Sequence, residues 1–426
     1  MSTVQPQSTQ VLIFMRRIFP VLAVLLTGVF LDGKFSVPVL AEEISTPTVR
    51  HTLPAGSPDR ATGDASTANR IITEVNGAAW GFIDREGRPI VPPRFLEAES
   101  FAEERAVVRV AGHGFSYIDT HGNLVNDRAF DRACSFAQER AHVWMNDAEY
   151  FINPAGEIVF QWKVSTGEAL HCRQFSHGKL AVFDSAHGAA GFLNRNGEWD
   201  IRPQYTTARD FHENRAVIQT GNLFGYIDVN GRTIIEPQFR IAHDFSEGMA
   251  YVEISPTERG FIDPQGEFLF RIDAELRTAR LFDFHGQRAR FERQNTYGYL
   301  DRSGKVAIDA HFNRYRNDDG FADFQENLAV FIEARGAGYI KPDGRSITDN
   351  RFDEAYPYHE GRAVARQNDR YGYLDVNGEW IIPPRFLGAG AFAEGLAPVK
   401  IDEAARDHLL PVDLDETFRP DQFNAE

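Results

Sequence analysis

The sequence predicts an all-β protein built as a tandem array of about nine short repeats. An eight-residue segment that ends in Gly recurs nine times, at a spacing of 34 to 41 residues. Each copy is aromatic and β-branched, which is typical of strands, and an aromatic residue recurs at a nearly fixed distance after it. The 426 residues are 42% hydrophobic and 12% aromatic, so we expect most of the chain to fold around a core.

Each repeat begins with the eight-residue segment, whose first copy is WGFIDREG at Trp80–Gly87. In all nine copies the third residue is Phe or Tyr, the fourth is Ile or Leu, and the eighth is Gly. The residues from Trp80 to Asp84 predict a strand, and Asp84–Gly87 predict a tight turn. The other copies are FSYIDTHG, EYFINPAG, AGFLNRNG, FGYIDVNG, RGFIDPQG, YGYLDRSG, AGYIKPDG and YGYLDVNG.

Two further strands and one connection complete each predicted repeat. The run Arg88–Val91 returns as a second strand, and Ala106–Val110 supplies a third that pairs with the next aromatic strand. Between them, Pro92–Arg105 predicts an irregular loop with room for one helical turn. The aromatic anchor of this loop follows the turn Gly by 14 residues in six repeats, but by 19, 18 and 20 in the third, sixth and seventh. The nine anchors are Phe101, Phe136, Phe175, Phe211, Phe245, Phe284, Phe324, Tyr358 and Phe392.

Both faces of each aromatic strand should be covered. Trp80 and Phe82 share one face, whereas Gly81 and Ile83 share the other, where Gly81 leaves room for another backbone or ring. One repeat cannot bury both faces alone, so neighbouring repeats should stack and stabilise one another. We expect an open, curved, solenoid-like array of three-stranded β-meanders. A closed, propeller-like ring is the alternative. We favour the open array because nine blades exceed the usual four to eight of a propeller.

The segments WGFID, FGYID, AGYIK and YGYLD, with Gly three residues after the Asp position, resemble the bacterial WG-containing repeat. The resemblance covers residues 71–400. It implies a tandem β-rich array, often found in exported proteins, with no shared catalytic residues. At the first position of the nine segments Trp occurs only at Trp80, and Phe, Tyr, Ala, Arg or Glu stands there in the other copies.

The N-terminus predicts export. Arg16 and Arg17 precede an apolar run, Ile18–Leu31, that is too short to span a bilayer, and the small residue Ala41 suits signal-peptidase cleavage. We therefore expect a signal peptide at 1–41, with an uncleaved membrane anchor as the alternative. Residues 42–70 have the composition of a disordered linker, 71–400 form the array, and 401–426 form a C-terminal cap or tail. The expected location is periplasmic, cell-surface or extracellular.

Charge restricts the partners. Removal of residues 1–41 leaves 42 basic and 60 acidic residues, a net charge of −18. Such a charge repels phosphate backbones and anionic lipids, so we expect no nucleic acid and no stable membrane insertion. A protein or a cell-envelope ligand is the expected partner.

The sequence predicts no catalytic centre, cofactor site or metal site. It contains no HExxH segment, nucleophile elbow or phosphate-binding Gly loop. His171, His177 and His187 around Cys172 are interpreted as polar loop residues rather than metal ligands. Asp228–Gly231 is interpreted as a turn rather than a calcium loop, and Asp318-Asp319-Gly320 as a solvated acidic loop. A cell-envelope hydrolase with a glycosidase-like carboxylate pair remains the alternative function, as does a purely structural spacer.

The favoured function is therefore binding or scaffolding through the insertions of the third, sixth and seventh repeats. An exposed Trp or Phe there would be the usual anchor of an interface. Cys134 and Cys172 fall in adjacent repeats, whose equivalent positions should lie more than about 7 Å apart, so we expect two free thiols. The candidate contact residues are Trp162, His171, Leu276, Arg277, Asp318, Asp319 and Phe321.

Overall fold

The computed structural model describes residues 77–162, 171–313, 322–333, 335–348 and 352–403, which form nine antiparallel sheets. The first strands are β1 Ala79–Asp84, β2 Pro89–Phe95, β3 Glu97–Ala98, β4 Ala106–Val110, β5 Gly114–Ile118, β6 Arg132–Ala133, β7 Ala141–Met145, β8 Ala148–Ile152, β9 Ile158–Trp162, β10 Lys179–Asp184, β11 Ala189–Asn194, β12 Trp199–Tyr205, β13 Thr207–Ala208, β14 Arg215–Thr220, β15 Leu223–Asp228 and β16 Thr233–Phe239. The remaining strands are β17 Ile241–Ala242, β18 Ala250–Ser255, β19 Glu258–Ile262, β20 Phe268–Arg271, β21 Arg280–His285, β22 Arg288–Arg293, β23 Thr296–Leu300, β24 Val306–Asn313, β25 Ala329–Glu333, β26 Gly336–Ile340, β27 Glu354–His359, β28 Arg362–Gln367, β29 Arg370–Leu374, β30 Trp380–Phe386, β31 Gly388–Ala389 and β32 Leu396–Ile401. A single turn of 3-10 helix, Ala274–Leu276, lies between β20 and β21. The all-β prediction is confirmed, whereas the predicted signal peptide 1–41, the linker 42–70 and the tail beyond residue 403 lie outside the described residues.

The complete sheet has four strands, not the three that the sequence predicts. We number the sheets 1 to 9 by their aromatic strand, which is the third strand of a complete sheet, and sheet 5 has the full order β13-β14-β15-β16. Six sheets have four strands in the described residues; sheets 2 and 4 have three, and sheet 8 has two. The additional first strand is only two residues long in sheets 1, 2, 3, 5 and 6, too short to leave a pattern in the sequence.

The array closes on itself, so the expected open array is wrong and the alternative ring is correct. In sheet 1 the N-terminal strand β1 pairs with the C-terminal strand β32 over six residue pairs, from Ala79↔Ile401 to Asp84↔Leu396. The Cβ position of Gly87 in sheet 1 also lies 3.3 Å from the Ile382 side chain in sheet 9. The result is a propeller-like ring of nine sheets within the described residues.

The core lies between consecutive sheets. One cluster joins Tyr226 and Ile235 of sheet 5 to Phe245 and Val252 of sheet 6, and equivalent clusters occur around the ring. The expectation that both faces of the aromatic strands are covered is confirmed, since adjacent residues on opposite faces of one strand are both buried. Tyr226 also donates from its hydroxyl to the backbone carbonyl of His243 in sheet 6, at 2.7 Å. Each sheet therefore buries its apolar side chains against the neighbouring sheet.

The segment predicted as an irregular loop, Pro92–Arg105, is more regular than expected. Strand β2 continues through two prolines to Phe95, β3 follows after one residue, and no helical turn forms there. Proline is tolerated because β2 is an edge strand, where a missing N–H costs no ladder bond. The bend of β2 brings the Val91 carbonyl oxygen to 2.4 Å from the Cβ position of Gly81, so only Gly fits there, as the sequence predicts.

Candidate functional site

The strand directions divide the ends of the sheets into two faces of the ring. Strand 2 of each sheet starts, and strand 3 ends, at what we call the turn face, which carries the Asp-x-x-Gly turns. The opposite face, called the loop face, carries the hairpins between strands 2 and 3 and the connections from strand 4 to the next sheet. Strands β9, β20 and β24 end at the loop face, and the three long insertions follow them. Both ends of the described chain also lie there, where the Gly77 amide donates to Glu403.

The Asp-x-x-Gly turns are structural, as predicted. In the fifth repeat the Asp228 carboxylate accepts hydrogen bonds from the backbone N–H groups of Asn230 and Arg232, both at 2.9 Å. The bond from the Arg232 amide is the main reason why the pKa of Asp228 lies below its usual value. Gly231 has φ +78°, the conformation that Gly adopts without strain. The Asp228 carboxylate is therefore a hydrogen-bond acceptor within the turn rather than a calcium ligand.

A second set of turns links the sheets to one another. Each is a two-residue turn after the aromatic anchor, with both central residues at positive φ in sheet 9 (Glu360 at 52°, Gly361 at 71°). The Glu360 carboxylate accepts from the backbone N–H groups of Glu394 and Gly395 in the next sheet, at 2.7 and 3.0 Å. Eight of the nine junctions in the described residues carry such a bond, and we call the set the turn girdle. Its acceptors are Glu394, Glu103, Gln138, His177, Glu213, Glu247, Glu326 and Glu360.

The turn girdle explains why Glu occupies an unusual backbone conformation. A non-glycine residue at positive φ costs about 1 kcal/mol or more. The carboxylate offsets this cost because consecutive N–H groups of the next turn form a small anion-binding nest. The carboxylates of the turn girdle are thus engaged within the ring. The sequence contained the signal, a Glu in the same slot of six repeats, but not its partner.

At the loop face, some sheets have a polar side chain at a strand position that is apolar in most other sheets, and this side chain holds the neighbouring connection in place. In sheet 6 the Arg259 guanidinium donates to the carbonyl oxygens of Leu276 at 2.7 Å and Ala279 at 3.3 Å. These two residues belong to the sixth insertion, so Arg259 fixes its course. The Leu276 side chain is buried in the core between sheets 6 and 7, whereas Arg277 is exposed. Of the two candidates in this insertion, only Arg277 is therefore presented to a partner.

Sheet 3 carries an unusual row across its strands at the loop face. The register places Arg132 opposite Trp144, Trp144 opposite Glu149, and Glu149 opposite Trp162, so the four side chains share one face of the sheet. The indole N–H groups of Trp144 and Trp162 are buried and have no hydrogen-bond partner among the described residues. Trp162, expected to be an exposed anchor, is 7% exposed and packs in the core with Phe175.

His142 is buried beside this row and is neutral. Its Nε2 lies 2.9 Å from the Glu149 carboxylate, which can only accept, so Nε2 carries the proton and donates. Nδ1 accepts from the backbone N–H of Arg173 at 3.4 Å. Burial, with the charges of Arg173 and Arg132, lowers the pKa of His142 to about 4. The ring serves as a packed hydrogen-bonding group rather than as an acid or base near neutral pH.

The two cysteines form a disulfide, so the prediction of free thiols is wrong. The Cα atoms of Cys134 and Cys172 are 5.8 Å apart, within the range that a disulfide accepts. The error came from treating neighbouring repeats as regularly spaced. The residues before Phe175 do not form a first strand in sheet 4 and lie against sheet 3 instead.

The histidines named with Cys172 do not come together. His171 is exposed beside the disulfide, whereas Nε2 of His177 accepts from the Asn214 amide in the turn girdle. His187 pairs with Asp184 at 2.6 Å in a loop-face hairpin. Among the residues that the structure describes, no group of three or more His, Cys, Asp or Glu side chains could hold a metal ion.

The seventh insertion is flanked by a buried ion-pair cluster. Arg290 is 1% exposed, donates to Glu292 at 2.9 Å and to Asp323 at 3.0 Å, and lies over the Phe282 ring at 3.8 Å. The candidates Asp318, Asp319 and Phe321 lie outside the described residues. Arg290, like His142 and Tyr251, occupies the strand-2 position where most repeats have Val, Ala or Pro. Comparing this position among repeats would have singled these residues out.

A row of carboxylates precedes the anchors of four consecutive sheets, at Asp210, Asp244, Asp283 and Asp323. Burial raises the pKa of both Asp210 and Asp244. Imidazole groups lie among them: His243 Nδ1 is 2.8 Å from Asp283, and His212 Nε2 is 3.9 Å from Asp244. A glycosidase pair needs one carboxyl with a raised pKa and one that stays ionised, and these two pKa values shift in the same direction.

Comparisons with solved structures give weak similarities. The chain is similar to BamB from Moraxella catarrhalis, with 10% identity and a TM-score of 0.40 over 77% of this chain and 99% of that one. A structure described as the eukaryotic initiation factor has 9% identity and a TM-score of 0.48, over 72% and 95%. The WD40 beta propeller domain of Doa1 has 13% identity and a TM-score of 0.29, over 54% and 91%. These scores are low, so we assign the fold from the strand pairing alone.

No curated protein sequence matches the chain significantly. No helix in the described residues is long and apolar enough to cross a membrane. The WG containing repeat family, however, matches six segments between residues 80 and 403, at 80–112, 191–224, 224–255, 297–331, 338–371 and 371–403. Each of these matches includes the strand-3 Gly or aromatic residue and the turn Gly that the structure explains. The chain therefore belongs to the WG containing repeat family.

Proposed function

We propose that the protein is an exported, non-catalytic binding or scaffolding module that contacts a protein or cell-envelope ligand through the loop face of its ring. The observation that carries the proposal is the contrast between the two faces. On the turn face, a side-chain acceptor bonds to the next sheet at eight of the nine junctions in the described residues, as Glu360 does to Glu394 and Gly395. At the loop face, the strand 2–3 hairpins differ in length and sequence from one sheet to the next, and the strands that precede the three insertions, β9, β20 and β24, end there.

Two features of the loop face support a contact surface. The sixth insertion is held in place by Arg259 yet presents Arg277 to solvent, so a partner would meet an ordered group. His171 is also exposed, next to the disulfide that fixes its backbone. In repeat proteins the insertions commonly lie on one face, and that face is often the one that binds ligands.

The test uses charge reversal on one face at a time. Arg277→Glu changes the loop face, and the matched control, Arg232→Glu, changes an exposed arginine in a turn of the opposite face. Each mature variant is immobilised at equal density and exposed to solubilised envelope fraction, and the bound material is quantified. We expect Arg277→Glu to lower the amount bound severalfold while Arg232→Glu does not. Equal loss from both variants, or from neither, would refute the assignment of the loop face.

A further inference from the structure

The first strand of sheet 4 is missing in the described residues, although the sequence has a small residue at the position where this strand ends in other sheets. In sheets 3, 5 and 6 this strand ends with a small residue three positions before the anchor, namely Ala133, Ala208 and Ala242. In sheet 4 that position is Cys172, three residues before the buried anchor Phe175. Ala133 and Ala242 are 5% and 0% exposed, whereas Cys172 is exposed. The segment 171–174 thus has the sequence position of a first strand without its location.

The backbone bonds show where the segment lies instead. In sheets 5 and 6 the first strand donates to strand 2, as in the bond from Arg209 N–H to the Val217 carbonyl at 2.9 Å. The equivalent residues in sheet 4 are Arg173 and Ala181. The Arg173 amide donates to His142 Nδ1 in sheet 3 at 3.4 Å, and the Ala181 amide donates to Asp210 of sheet 5 at 3.0 Å.

We propose that the Cys134–Cys172 disulfide is a redox latch that holds segment 171–174 on sheet 3 and away from sheet 4. When the latch opens, the segment moves to the edge of β10 and completes sheet 4 as its first strand. The register of sheet 5, where Thr207 pairs with Gln219, places His171 opposite Phe183. Cys172 then takes the buried place that Ala133 and Ala242 hold in their sheets.

The two positions differ in the contacts that hold the segment. On sheet 3 its contacts include the disulfide, the hydrogen bond from the Arg173 amide to His142, and the Arg173 guanidinium 5.4 Å from the centre of the Trp162 ring. On sheet 4 it would gain ladder hydrogen bonds and cover part of Phe183, which is 48% exposed at an edge strand. The disulfide is the one covalent contact, and it exists only in the sheet 3 position.

Opening the latch is a thiol–disulfide exchange with a dithiol. One thiolate of the reductant attacks a sulfur of the Cys134–Cys172 bond, forming a mixed disulfide and releasing the other cysteine as a thiolate, which takes up a proton. The second thiol of the reductant then displaces the remaining cysteine and closes its own disulfide. Two electrons pass to the protein, which ends with two thiols, and the reductant is oxidised.

Amide hydrogen exchange on the mature full chain tests the latch. We expect dithiothreitol to slow exchange of the Phe183 amide about tenfold, because that amide gains a ladder bond. Exchange of the Val252 amide in sheet 6, a buried reference, should not change. The double variant Cys134→Ser, Cys172→Ser should show slow exchange at Phe183 without reductant and should not respond to it.

Three outcomes would overturn the proposal. Unchanged or faster exchange at Phe183 after reduction means that the segment does not pair with β10. Slowing that depends on protein concentration means that a second molecule, not segment 171–174, covers the edge. A double variant that keeps the fast exchange of the oxidised protein means that the disulfide does not control the segment's position.

Discussion

Removing the Glu360 carboxylate tests whether the turn girdle stabilises the ring. In Glu360→Ala the backbone strain at φ 52° remains, so the change reports the side chain alone. The variant loses two charge-assisted bonds from Glu394 and Gly395 and an ion pair with Arg85 at 2.6 Å. Charged hydrogen bonds contribute about 1.5–3 kcal/mol each, but Glu360 is partly exposed and the ion pair is screened by solvent. We expect a loss of about 2 kcal/mol in the free energy of unfolding, measured by urea denaturation.

The pH dependence separates the carboxylate from mere packing. Burial opposes ionisation of Glu360, but the hydrogen bonds from Arg85, Gly395 and Glu394 outweigh it, and its pKa lies below the usual value. The stabilisation is therefore present above the pKa of the unfolded chain, near 4.5, and is lost as the pH falls through the lower pKa of the folded state. Glu360→Gln, which keeps an acceptor oxygen, should lose about 1 kcal/mol. A penalty below about 0.5 kcal/mol for Glu360→Ala, or one that does not shrink below about pH 4, would refute the reasoning.

Three further predictions concern the turns, the contacts between sheets and the N-terminus. Gly231→Val places a branched side chain at φ +78° with its Cβ 3.2 Å from Ile201, and should cost about 1–3 kcal/mol, whereas Gly231→Asn should cost less; equal melting temperatures would contradict this. Tyr226→Phe removes the hydroxyl that donates to His243 and should cost about 1 kcal/mol in urea denaturation, with no cost if the bond contributes nothing. Exported protein should begin at Glu42 by intact mass, and retention of Arg16 and Arg17 would show that the predicted cleavage does not occur.

Local elements could be predicted from the sequence because their physics is local. The aromatic strand, the Asp-x-x-Gly turn and the return strand each depend on residues within about ten positions, and β15, Gly231 and β16 lie where the pattern places them. The role of Gly81 also followed from the alternation of side chains. The two-residue first strands could not be predicted because two residues are too few to show an alternating pattern.

Ring closure could not be predicted because it depends on the rotation between one repeat and the next. The same stacking contacts, such as Gly231 against Ile201, would occur in an open array with slightly different rotation. Only the pairing of β1 with β32 distinguishes the two architectures, and these strands are more than 300 residues apart. The same regular-array assumption misled the prediction for Cys134 and Cys172, since segment 171–174 leaves its own sheet.

The division into two faces also explains which parts of the sequence look regular. At eight of the nine junctions in the described residues a turn-face slot bonds to its neighbour, as Glu213 does to Gly248 at 3.0 Å, so a change in one repeat would break a bond to the next. Among the described residues the loop face carries no such chain of bonds, and its sheets differ: Arg259 holds an insertion in sheet 6, and Arg290 forms a buried ion pair in sheet 7. Three repeats have a polar side chain at the strand-2 position that is Val, Ala or Pro in the others, namely His142, Tyr251 and Arg290. They contribute to sheets 3, 6 and 7, and the three insertions follow the last strands of these sheets. Buried polarity in this ring thus marks the sheets that support the variable surface, and those sheets are where a ligand-specific change should be sought first.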